Sequence, residues 1–366
     1  MPTTRATPAA IAQFAARHPS ANFYRSGWDG LSLASLGLGT YLGEPNAATD
    51  ARYVAATRRY LALGGNLIDS AINYRFQRSE RTIGEALQAA LMAGEIAREE
   101  VVICTKGGYL SFDGDWPSDP DEWVRETFIE PGILQAEDII DGHCMAPAYL
   151  RHQIAQSLKN LQVACIDLYY LHNPEGQRAA LGENEFRRRL REAFATLEVA
   201  VANGQIAAYG TATWNGFRAH PQAPDYLAVQ TVLEIARDVL GDQHHFRAVQ
   251  LPLNFQMVEA FGKRNQAGAN GLASFLEVAA ANGITVLASA SLLQSRVVGR
   301  LPDALRAKFP DCDTDAQRAL QFVRSTPGLT TALVGMSHIE HVEENMQLKN
   351  VAPMSAEAYQ KVFGQA

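Results

Sequence analysis

Short apolar runs alternate along this chain with longer stretches in which apolar residues recur every three or four positions. The first pattern suits buried strands and the second suits helices packed by one face. The strands read this way are 33–40 (LASLGLGT), 66–70 (NLIDS), 101–107 (VVICTKG), 167–172 (DLYYLH), 207–213 (AAYGTAT), 248–254 (AVQLPLN), 285–291 (TVLASAS) and 331–336 (TALVGM). Among the helices, SERTIGEALQAALMAG has a serine start signal and a glycine stop, and LRHQIAQSLKNL aligns Leu150, Ile154, Leu158 and Leu161 on one face.

Eight successive strand–helix pairs predict a closed parallel sheet, a single-domain (β/α)8 TIM barrel of the α/β class. Residues 31–350 form it, with 1–30 as an N-terminal extension holding a short helix around PAAIAQFAARH and 351–366 as a C-terminal tail. Two stretches break the rhythm: long loops at 109–147, after strand three, and at 255–270, after strand six. Both leave strand C-termini, so both are expected to overhang one mouth, and loops of that size usually serve function.

In such a barrel, chemistry gathers at the strand C-termini. Asp69 ends the second strand with Tyr74 just beyond it, Lys106 ends the third and His172 ends the fourth. These strands are neighbours, so the four side chains can converge. A phenol ordinarily titrates near about 10, and an adjacent ammonium favours its phenolate, while a carboxylate keeps that ammonium charged and oriented. Tyr74 would then exchange a proton near neutral pH, and His172 would orient a carbonyl oxygen receiving it. Each residue also has a plain reading, as a barrel-end ion pair, a loop aromatic and a strand terminus. Four such residues at adjacent strand ends weaken that reading.

Composition narrows the classes further. The 366 residues are 47% hydrophobic and 19% charged, as in a packed soluble protein, and no apolar run approaches a membrane span. A net charge of −7 argues against nucleic acid, and the basic cluster FRRRLRE (186–192) reads as a solvated helix face. Cys104, Cys144, Cys165 and Cys312 lack paired spacing, which suits reduced thiols, implies no metal and favours the cytoplasm. The first 28 residues hold no acid and carry Arg5, Arg17 and Arg25, a composition with a faint transit-peptide character, but they contain no secretory apolar core.

The stretches GGNLIDSAINY, SERTIGEAL, VVICTKGG, SLKNLQVACIDLYYLHNPE, AVQLPLNF and ALVGMSHIEHVEENM occur in that order. Through them the sequence resembles the aldo-keto reductase superfamily, from about residue 31 to 350. The resemblance implies a nicotinamide cofactor held in extended form, NADP(H) by family habit with NAD(H) left open, and the tetrad Asp69, Tyr74, Lys106 and His172. No G-x-G-x-x-G follows a strand, which fits that cofactor mode. It further implies that Gln250 holds the nicotinamide carboxamide, with Thr213 beside Ala212 where the family has a Ser-Asn pair. Leu292, Gln294 and Arg296 fall at the pyrophosphate, and Ser337, His341, Glu344 and Asn345 at the adenosine phosphate. SASL replaces an aromatic and a proline after strand seven, and Met336 and His341 stand where many relatives carry Lys and Arg, so the 2′-phosphate loses cationic donors.

The implied activity interconverts a small-molecule aldehyde or ketone and its alcohol. The alternative is a non-catalytic nicotinamide-nucleotide-binding regulatory subunit on the same scaffold. Substrate identity, direction and oligomeric state stay open, because they live in loops and surfaces rather than in the fold.

Overall fold

A computed structural model describes residues 5–20 and 22–363. Eight parallel strands close into a barrel: β1 (Leu36–Gly39), β2 (Leu67–Asp69), β3 (Val102–Gly107), β4 (Leu168–His172), β5 (Tyr209–Ala212), β6 (Phe246–Pro252), β7 (Thr285–Ser289) and β8 (Thr331–Gly335). Each is followed by a helix on the outer ring: α1 (Ala47–Ala62), α2 (Arg78–Met92), α3 (Pro147–Leu161), α4 (Glu183–Ala202), α5 (Val229–Leu240), α6 (Phe275–Ala281), α7 (Asp315–Arg324) and α8 (Ile339–Met346). The expected (β/α)8 barrel is the observed one. The register sets Asp69 against Gly39 and Cys104, Lys106 against Tyr170, and Ala212 against both His172 and Gln250. Asp69, Lys106 and His172 thus step two residues further along each successive strand, all at the C-terminal end of the barrel.

Inside the barrel, Leu67, Val102, Cys104, Leu168, Tyr170, Ala208, Ala248, Leu287 and Leu333 pack with Ala6, Ile11, Trp28, Leu31 and Leu33 from the N-terminal segment. That segment is a helix (Pro8–Arg17) capped by Thr7, followed by an antiparallel ribbon of Tyr24–Ser26 on Ser32–Ala34. It docks at the N-terminal end of the strands, where Ala6 N–H donates to Asp167 Oδ1 at 2.6 Å and Thr7 N–H to Glu99 O at 3.1 Å. Apolar side chains there close the end of the barrel opposite the mouth.

The structure departs from the sequence reading in particular places. The run 33–40 is two strands, because Ser32–Ala34 turns out to the ribbon and only Leu36–Gly39 enters the barrel. The boundary drawn at residue 30 therefore falls inside the ribbon. Strand β6 begins at Phe246 and stops at Pro252, earlier than drawn. Helix α2 is entered through Gln77 at φ 70°, not through a serine cap, and the Ser79 hydroxyl instead donates to Thr40 O at 2.8 Å.

The 109–147 stretch folds on itself, with a short helix at Pro120–Val124 and an apolar cluster of Val124, Phe128, Leu134, Cys144 and Tyr149. The 255–270 stretch does not reach the mouth hollows. Its ribbon (Arg264–Gly268 with Gly271–Ser274) is tied to the β5 loop by amide bonds from Asn265 and Gln266 to Phe217 O and Leu227 O. The basic cluster lies on α4, where Arg187, Arg188 and Arg189 pair with Glu183, Glu185, Glu192 and Glu234. All four cysteines are buried and free. No helix among the described residues is long and apolar enough to cross a membrane.

Candidate active site

At the C-terminal end of the barrel, β2 delivers Asp69 and β3 delivers Lys106, both buried among apolar neighbours. Lys106 Nζ donates to Asp69 Oδ2 at 2.6 Å, to Ser70 O at 2.7 Å and to Tyr74 Oη at 3.3 Å. Three acceptors thus use all three ammonium protons. The other carboxylate oxygen, Asp69 Oδ1, accepts from Gln250 Nε2 at 2.8 Å. Desolvation pulls the Lys106 ammonium toward the neutral amine, but the charge of Asp69 and the hydrogen bonds to Asp69 and Tyr74 outweigh it and hold the group above its ordinary value. Lys106 is therefore a fixed cation aimed at a phenol.

Tyr74 does not become a near-neutral acid through this cation alone. Burial pushes the phenol above its ordinary value, and Lys106, the largest opposing influence, only draws it part of the way back. The sequence reading weighed the ammonium without the desolvation, which only packing reveals. The resting side chain is a phenol with a proton to give. The Tyr74 and His172 rings stand edge to face with centroids 6.0 Å apart.

His172 is held neutral: burial pushes it well below the usual imidazole value, with Lys106 and His143 adding to the effect, and its Nδ1 is buried without a partner. Its backbone oxygen accepts from His143 Nε2 at 2.7 Å, while Gln177 Nε2 donates to His143 Nδ1 at 3.0 Å. An amide donor at Nδ1 fixes the proton of His143 on Nε2. Burial brings His143 itself down to about 4.

Two hollows meet at Tyr74. One, of about 620 Å³, runs between the β1, β7 and β8 ends past Gly39, Thr40, Ser291, Leu292 and Gly335. The other, of about 850 Å³, lies over β4 and β5 and reaches Asn73, Tyr109, His172, Thr213 and Trp214. Tyr41, Tyr74, Gln250, Ser289, Ala290 and Gln294 line both. Both volumes include the open mouth, where concave, partly apolar surfaces take small molecules.

The structure brings Asp69, Tyr74, Lys106, His172, Thr213, Gln250, Leu292 and Gln294 together. The Gln250 amide nitrogen gives one of its two N–H donors to Asp69, and the Thr213 hydroxyl donates to the Gln250 backbone O at 3.4 Å. Arg296 is exposed and lines neither hollow. Ser337 precedes α8, His341 is exposed on its first turn, and Glu344 accepts from Thr314 Oγ1 at 2.6 Å. The Asn345 side-chain oxygen is buried without a partner.

Tyr41, Asn73, Tyr109, Asn173 and Trp214 were missed as lining residues. Each follows a strand C-terminus by one to four positions, which is the signal that would have found them. Conversely, Asp113, Asp115, Trp116 and Trp123 of the long loop line neither hollow.

A profile of the aldo/keto reductase family matches residues 35–300. The chain belongs to that family. Among its relatives, aldo-keto reductase family 1 member C13 of Mus musculus is 27% identical over 158 residues, 43% of this reductase-family chain and 36% of the mouse protein. The NADH-specific methylglyoxal reductase of Escherichia coli is 29% identical over 189 residues, 50% of this chain and 49% of that one. The chain thus spans between a third and a half of the length of these two relatives. An aldo/keto reductase from Klebsiella pneumoniae, solved in complex with NADP and acetate, superposes with a TM-score of 0.60 at 21% identity, covering 93% of this chain and 94% of its own, a likeness of fold.

Proposed function

We propose that this aldo/keto reductase interconverts an aldehyde or ketone and its alcohol with a nicotinamide nucleotide, Tyr74 giving the proton to the carbonyl oxygen or taking it back. The observation that carries the reading is the Lys106 ammonium, fixed by Asp69 and aimed at a buried phenol where the two hollows meet. When bound, the nicotinamide supplies or accepts the hydride. Unpartnered buried atoms suit such a ligand: His172 Nδ1 and Asn73 Oδ1 at the second hollow, and Asn345 Oδ1 in α8. Gln250, Thr213, Leu292 and Gln294 would hold the nicotinamide end, and Ser337, His341 and Asn345 the adenosine end.

The protein's own part is to place and move one proton. As negative charge develops on the carbonyl oxygen, the Tyr74 phenol donates, and the phenolate left behind is stabilised by Lys106 at 3.3 Å. His172, neutral, adds a polar ring beside that oxygen without a competing positive charge. The fixed ion pair needs no reorganisation during this step. The related proteins differ in nucleotide, one named NADH-specific and one solved with NADP, so the pairing here is left to measurement. A regulatory subunit that only held a nucleotide would have no use for a buried cation trained on a phenol.

The test is Tyr74→Phe, which removes the proton and little volume. Turnover is expected to fall by about 10²- to 10⁴-fold with nucleotide binding, read by fluorescence, nearly intact. Full activity in that variant would sink the proposed role.

A further inference from the structure

The chain turns sharply just after Tyr74, and it does so without glycine. Arg75 (φ 48°), Phe76 (φ 56°) and Gln77 (φ 70°) are three consecutive side-chain-bearing residues in the left-handed region. One such residue is uncommon, and a run of three persists only where its surroundings over-determine it. Here the surroundings converge on Arg75. Its guanidinium is buried and donates to Asp50 Oδ1 at 2.6 Å, to Ser79 Oγ at 3.0 Å and to Thr82 Oγ1 at 3.4 Å, and it lies 4.9 Å over the Tyr53 ring.

The bonds continue toward the site. The Ser79 hydroxyl donates to Thr40 O at 2.8 Å, and the Thr40 hydroxyl lies 3.1 Å from Asp69 O and 3.0 Å from Ser70 Oγ. One cation thus ties α1, α2 and the β1 loop to the strand end that carries Asp69. On the other side of the turn, Phe76 O accepts from Gly114 N–H at 2.9 Å, and Gln77 Nε2 donates to Phe112 O at 3.2 Å. The turn is clamped at both faces.

We propose that Arg75 is a positioning residue: its guanidinium, countered by Asp50, holds the left-handed turn 75–77 and so keeps the Tyr74 phenol against Lys106. The inference rests on Tyr74 being the proton donor for its kinetic consequence, but not for its structural one. A planar guanidinium suits the task because its rigid fork meets several acceptors in a pre-set geometry while its flat face lies over a ring.

The discriminating pair is Arg75→Ala against Arg75→Gly. Both lose the guanidinium, but glycine occupies the left-handed region freely and alanine does not. Arg75→Ala is expected to lower kcat by about 10²-fold, the scale of a misplacement near 1 Å. Arg75→Gly is expected to keep roughly tenfold more of it, with nucleotide affinity within about twofold in both. A residue that served only as an ion-pair partner would give equal losses, and that result overturns the proposal.

A second readout needs no turnover. The phenol of Tyr74, isolated as the ultraviolet titration difference between a protein and its Tyr74→Phe partner, is expected to move down toward about 10 in Arg75→Ala as the side chain is released from burial. An unchanged titration overturns the positioning role even if the wild-type chain turns over no carbonyl, which would count against the proposed function instead. If Arg75→Ala does not fold, Asp50→Asn takes its place in both measurements, with a smaller change of the same sign expected and no change refuting the clamp.

Discussion

Replacing Asp69 with Asn should cost far more than its one-atom change suggests. The carboxylate accepts from Lys106 at 2.6 Å through one oxygen and from Gln250 at 2.8 Å through the other. Asparagine offers a single acceptor oxygen, so one of those two donors would face an N–H. The greater cost is the buried ammonium left without its counter-charge. Lys106 can stay charged, at about 3–5 kcal/mol for a broken buried pair. It can instead discharge, which from an ordinary value of about 10.4 costs about 4.6 kcal/mol at pH 7, counting about 1.36 kcal/mol per unit.

The two routes agree on a loss of about 4 kcal/mol for Asp69→Asn. Lys106→Met, by the same reasoning, strands the carboxylate, and protonating it at pH 7 from about 3.9 costs about 4 kcal/mol. The double variant strands neither, so it should lose much less than the sum, with a coupling of at least about 3 kcal/mol. Urea unfolding of the four proteins at pH 7, with equal denaturant slopes, measures the cycle. Losses that add to within about 0.5 kcal/mol would refute the buried ion pair as the organising contact.

Two further outcomes follow from the same geometry. His143 is held at about 4 by burial, against 6.5 ordinarily, so between those values the unfolded chain binds more protons than the folded one. Stability conferred by His143 is whole above about pH 6.5 and falls by about 3 kcal/mol as pH drops toward 4. His143→Gln, followed by urea titration across that window, should lose less, and parallel curves would reject the assignment. At the proposed adenosine end, Met336 is buried and His341 is exposed on α8 beside Glu340 and Glu343, so this loop would offer little to a 2′-phosphate. NADPH and NADH should differ in affinity by less than about 30-fold, or roughly 2 kcal/mol, with His341→Arg raising the share of NADPH. A strong NADPH preference that His341→Arg leaves unchanged would place the phosphate contact elsewhere.

The eight strand–helix pairs could be read from the chain because alternation of short apolar runs with amphipathic stretches is a local property, and closure follows from repeating it. Asp69, Lys106 and His172 were legible for the same reason, as polar residues ending apolar strands. Long-range packing decided the rest. Ser35 looks like the middle of a strand, and only the ribbon's pairing with Tyr24–Ser26 shows that the chain leaves the barrel there.

Lys106 alone suggested an acidified Tyr74, yet the phenol stands above its ordinary value because desolvation depends on every neighbour that excludes water. Gln250 carried no sign that its amide would donate to Asp69, from which it is 181 positions distant. The left-handed turn at 75–77 has no glycine to announce it. It is held by a cation whose partners come from α1, α2 and, through Ser79, the β1 loop. Sequence pattern fixes which groups stand at the strand ends, since that needs only local periodicity. Their charge states and bonds depend on the summed contacts of distant segments, which exist only once the barrel has closed.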